Sequence, residues 1–116
     1  MSVLPTKAPT FKVYRGDDFM KEFIFKDPAT NQPLNLETEG WGTWEAKWRP
    51  HLDSVEYIDF LVDETEKQSG VISISLSPEK TRLLKDGVWD LQSSNSTTIK
   101  TWVFGKIEVL KDVTHD

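Results

Sequence analysis

Asp59 and Glu45 are the first side chains in this sequence that could be asked to do chemistry. A glycosidase needs two carboxylates flanking a cleft. Here each carboxylate alternates with apolar neighbours, in WEAKW and YIDFL, which marks the solvent side of a strand. His51 follows a proline and His115 stands next to the end, both in loop or tail positions. Neither belongs to an H-x-x-x-H or C-x-x-C spacing, so no set of metal ligands is expected. No serine occupies a G-x-S-x-G elbow. The acidic run Asp63-Glu64-Thr65-Glu66 lacks the glycine that an EF-hand turn requires. The residue types therefore predict no catalytic, cofactor or metal site, and the chain reads as a non-enzyme.

Other motifs point to turns and contacts. Arg15-Gly16-Asp17 matches an adhesion tripeptide, but it joins two alternating segments, and Gly16 suits a tight connection. Asn95-Ser96-Thr97 matches a glycosylation triplet and reads as a hairpin loop. Trp44, Trp48, Trp89 and Trp102 mostly alternate with other apolar residues and are expected in the core. Trp41, between Gly40 and Gly42, faces away from Trp44 and Trp48. With Tyr57 it is the candidate for an exposed aromatic contact, since aromatics are enriched where proteins bind one another. A carbohydrate- or receptor-binding module is the alternative use of the same rings. Pro5 and Pro9 mark residues 1–10 as an extended arm, a further candidate contact.

These residues must be positioned by strands. The period is two almost throughout: Phe11 and Val13 in FKVY, Phe19, Phe23 and Phe25 in FMKEFIF, and Trp44, Ala46 and Trp48 in TWEAKW. Ile58, Phe60 and Val62 alternate in YIDFLV, and Ile72, Ile74 and Leu76 in VISISL. VWDLQ, TIKTWVFG and KIEVLKDV follow as three further strands, the first two joined by SSNST. One segment departs from the pattern. SPEKTRLLKDG offers Ser77 as an N-cap, Pro78 at the first helical position and Gly87 as a stop, predicting one to two helical turns near residues 78–85. Leu83 and Leu84 are expected to close one end of the core. Seven or eight short strands with turn signals about every ten residues predict an antiparallel β-sandwich of immunoglobulin-like type over residues 11–116, with a small barrel as runner-up.

At 116 residues the chain is one domain by length. Its six Phe, five Trp and two Tyr can fill a core without disulfides, and there is no cysteine to form one. A net charge of −5 with mixed signs argues against nucleic acid as a partner. No apolar run approaches the ~20 residues of a membrane helix, so no membrane insertion is expected.

RGDDFMKEFIFKD, NQPLNL and WEAKWR, in that order, resemble the opening of small minor tail and baseplate-type structural proteins of long-tailed bacteriophages and prophages. GVISISLSPEKTRLLKDGVWDLQ is similar to their central L-[ST]-x-E-x-T-x-x-L…W-D-L-Q signature, and TWVFGKIEVLKDVT to their closing strand. The match spans about residues 11–115. It departs at Gln32, where those proteins often carry glycine, and at SSNST, which replaces a glycine-containing turn. The resemblance implies a virion protein without an active site, made in the host bacterial cytoplasm and built into the tail. It also implies partners among other tail or baseplate proteins and copies of the chain itself.

Overall fold

Alternating residues form strands because one side of each can then be buried while the other stays wet. A computed structural model describes residues 6–38 and 40–110. Within them the strands of the larger sheet are β1 (Thr6–Lys7), β2 (Phe11–Tyr14), β4 (Thr43–Arg49), β5 (Ile58–Asp59), β8 (Gly87–Ser94) and β9 (Ile99–Leu110). The smaller sheet comprises β3 (Phe19–Ile24), β6 (Leu61–Asp63) and β7 (Val71–Leu76). The larger sheet runs β1-β9-β8-β4-β5, with β2 also on β9, and the smaller runs β3-β7-β6. Trp44, Ala46, Trp48, Trp89 and Leu91 from the larger sheet meet Ile72, Ile74 and Leu76 from the smaller in one buried cluster. The protein is an all-β sandwich, as the period of two predicts.

The connections differ from the sequence reading in several places. Nine strands are present among the described residues, where seven or eight were expected. YIDFLV is two strands, because its buried Phe60 donates its N–H to the Ala46 carbonyl at 2.9 Å and the chain there leaves the larger sheet for the smaller. Within the described residues, TIKTWVFG and the start of KIEVLKDV instead form one strand, Ile99–Leu110, which runs through Gly105 without a turn. The sandwich is not wholly antiparallel either: β1 and β2 pair parallel with β9, Thr6 opposite Val103 and Phe11 opposite Ile107. Parallel neighbours need a long connection, and here almost the whole chain supplies it. Thr6–Ala8, within the expected arm, is thus sheet edge, with the Ala8 N–H donating to the Phe104 carbonyl at 2.8 Å. Residues 1–5 and the terminal residues 111–116, including Asp112-Val113-Thr114 and His115, lie outside the described residues.

The helical segment is shorter than expected. It spans Pro78–Thr81, capped by the Ser77 hydroxyl accepting the Lys80 N–H at 3.4 Å, and a separate 3-10 turn covers Lys67–Ser69. Leu84 is buried, but Leu83 is 66% exposed, because only one of two adjacent residues can face the core there. Gly87 lies well past the helix and opens β8 instead of stopping a helix. The helix earns its place through Thr81, which is fully buried. Its hydroxyl accepts the Gly16 N–H at 3.0 Å and donates to the Asp17 carbonyl at 2.8 Å. Arg15 donates from Nη2 to the Leu84 carbonyl at 3.3 Å, and Gly16 sits at φ 92°. Arg15-Gly16-Asp17 is therefore a turn bolted to the helical segment, in a conformation that favours glycine.

Candidate interaction surface

The outer face of the larger sheet carries its charges in rows, because cross-strand neighbours share a face. Lys47 is directly opposite both Asp59 on β5 and Asp90 on β8. Its Nζ lies 2.7 Å from Asp59 Oδ1 and 3.7 Å from Glu45 Oε2. The two carboxylates singled out in the sequence thus share one lysine and do not flank a cleft. The hydrogen bond to Asp59 is the main cause that raises the Lys47 pKa, against a smaller opposing effect of burial. The same ammonium stands 4.3 Å from the centre of the Tyr57 ring, with the Arg49 guanidinium 6.0 Å away. Tyr57 is 49% exposed, but its ring is engaged in cation–π contacts.

Beside this row, Arg49, Leu52, Val88, Asp90, Phe104 and Lys106 outline a hollow of about 350 Å³. Burial pushes the Asp90 carboxyl above the ordinary carboxylate range; Arg49 opposes the shift, Glu45 adds to it and Lys47 opposes it. The folded chain therefore keeps this proton to a higher pH than the unfolded chain does. The contribution of Asp90 favours folding below its unfolded pKa and is lost as pH rises through the folded value. Asp90→Asn, which resembles the protonated form, is expected to raise the urea midpoint near neutral pH. Its advantage over the natural chain should vanish below about pH 3, where both side chains are neutral. A midpoint difference independent of pH would contradict this reading.

Trp41 belongs to the rim of the core. It is half-buried and meets Trp102 edge-on, ring centres 6.1 Å apart at 85°. Trp102 in turn packs against Phe25 at 5.2 Å and Trp44 at 5.5 Å, and donates its indole N–H to the buried Ser93 hydroxyl at 2.6 Å. Asn95 turns the adjoining hairpin: its Oδ1 accepts the N–H groups of Thr97 at 3.0 Å and Thr98 at 2.8 Å. The glycosylation triplet is thereby used as a turn.

Pro9 lies elsewhere, between β1 and β2, on the lip of a groove of about 720 Å³. The opposite lip is β3, an edge strand whose only partner among the described residues is β7. The floor is aromatic: Phe11 lies 5.7 Å from Phe19 and 6.5 Å from Phe23. Lys21 sits between those two phenylalanines on the same face of β3, opposite the buried Ile74, and its Nζ stands 5.3 Å from the Phe11 ring centre. Of the residues named in advance, then, Pro9 lines the groove, Trp41 caps the core, Tyr57 lies on the outer sheet face, and Pro5 is outside the described residues. They do not converge on one site. Lys21 was overlooked although the alternation Phe19-x-Lys21-x-Phe23 carried the signal, a charge at an inward position.

Among the described residues, no three His, Asp or Glu side chains gather as a metal site, and no helix is long and apolar enough to cross a membrane. No protein-family model and no curated protein matches the chain. Among solved structures, the N-terminal domain of phage TP901-1 ORF48 is similar, covering 87% of this chain and 84% of that one, at 11% sequence identity and a TM-score of 0.46.

Proposed function

We propose that this chain is a non-enzymatic structural protein of a bacteriophage virion, a minor tail subunit of the tail tip or baseplate. It assembles with other tail or baseplate proteins, and with copies of itself, as an immunoglobulin-like sandwich presented as a rigid body. Its contacts are the N-terminal segment with Pro5 and Pro9, free strand edges, and the surfaces around Trp41 and Tyr57.

The observation that carries this reading is the ordered run of motifs from RGDDFMKEF to KDVT, several of whose residues have identifiable structural work. The Arg15-Gly16-Asp17 turn is held by Thr81 of SPEKT, and Trp89 of VWDLQ fills the core between the sheets. Charged side chains on the larger sheet are likewise engaged with one another, as Lys47 is with Asp59 and Glu45. Labelling purified particles with gold-tagged antibody to the chain is the direct test. Gold at one end of the tail is the expected image. Unlabelled particles that assemble normally after the coding sequence is deleted would defeat the proposal.

A further inference from the structure

The groove beside β3 has the parts of a binding slot. An edge strand leaves every second residue with an N–H and a C=O pointing away from its partner, and such an edge accepts an added strand. β3 offers six residues of that kind of edge. The larger sheet continues opposite it as β1 and β2, so the sandwich gapes on this side and Phe11, Phe19, Phe23 and Phe25 line the opening. A chain of net charge −5 nevertheless places three lysines, Lys7, Lys12 and Lys21, and one acid, Glu22, in the lining. Lys21 is the decisive residue, because it alone is a charge on the inward side of the edge strand.

We propose that the groove accepts an extended segment of a partner protein as an added strand on β3, with apolar side chains entering beside Phe11, Phe19 and Phe23 and an Asp or Glu pairing with Lys21. An inward lysine on an edge also deters indiscriminate sheet growth. Two copies pairing through β3 would bring lysine-rich linings together, which disfavours a second copy of this edge as the occupant. A carboxylate on the incoming strand converts the same lysine from an obstacle into a partner, so charge complementarity sets which segments enter. That this partner is another virion protein rests on the function proposed above; the chemistry of the slot does not.

Panning a displayed library of random ten-residue peptides on the folded full chain tests the slot. Winning peptides should alternate apolar and polar residues and carry Asp or Glu at one position. A synthetic copy of the winner should lose about tenfold in affinity on Lys21→Glu, and regain it when its own acid is changed to lysine. Lys85→Glu, which does not line the groove, should leave binding unaltered, and circular dichroism should show both variants folded. No enrichment, or winners indifferent to Lys21→Glu, would overturn the proposal. So would a concentration-dependent dimer, seen by light scattering, that Lys21→Glu abolishes, since a second copy would then be the occupant. Panning reads capture alone: particles lacking the protein would refute the virion reading and leave the slot standing, and failed panning does the reverse.

Discussion

Trp89→Ala should cost roughly 3–5 kcal/mol of folding stability, the usual toll for emptying a large aromatic site. Trp89 is buried, and three phenylalanines from different parts of the fold converge on it. Phe11 of β2 stacks at 5.0 Å, Phe23 of β3 at 5.7 Å, and Phe60, at the crossing between sheets, meets it at 6.5 Å and 67°. One side chain therefore joins both sheets, and no single neighbour can move in to fill its place. Its indole N–H has no partner among the described residues, so the site is held by contact and burial. Trp89→Phe keeps part of that contact, removes the unpartnered donor, and should cost less than half as much. Urea unfolding of the three proteins gives the answer, provided the slope with denaturant is unaltered. A loss below ~1 kcal/mol for the alanine variant would mark the residue as surface.

Gly87→Ala should be nearly as damaging, by the opposite mechanism. A Cβ added there would run into the Arg49 carbonyl oxygen and come within 2.5 Å of Trp48 Nε1. Neither neighbour can withdraw. Arg49 is held in β4 by its pairing with Val88 of β8, and Trp48 is completely buried. Overpacking of this kind costs about 3 kcal/mol, sometimes more, which for a domain of this size lowers the melting temperature by roughly 10 °C. Gly42→Ala is the matched comparison, since an added Cβ there meets nothing within 4 Å. Its melting temperature should change little. Equal effects at the two glycines would remove the close-packing explanation for Gly87.

Much of the core was readable from alternation, and the reason is energetic. Shifting a strand such as VISISL by one residue would exchange Ile72, Ile74 and Leu76 for Ser73 and Ser75 on the buried face. The roles of single glycines were less readable. Gly87 follows LLKD in the place of a helix stop, yet its constraint comes from Trp48, 39 positions earlier in the chain. The candidate contacts fared similarly. Trp41 between two glycines suggested an exposed platform, but Trp102 covers its edge; Tyr57 suggested another, but Lys47 lies over its ring. Neither contact has a local sequence signal, since Trp102 is 61 positions from Trp41 and Lys47 reaches Tyr57 only across the turn that follows β4.

The sequence by itself determined which side of most strands is apolar, where several of the turns lie, and that the fold is all-β without cysteine. These are local properties, written in residue types a few positions apart. Tertiary structure decided which strands are neighbours. It set β1 and β2 parallel to β9, and it let the chain change sheets at Phe60. It also introduced the irregularity between Leu91 and Gln92 that allows adjacent Trp102 and Val103 both to be buried. An alternating strand carries no label for its partner, so pairing is chosen only when both apolar faces close over one core. That closure left β3 at an edge with Lys21 pointing inward, and so decided where the protein can still accept a strand.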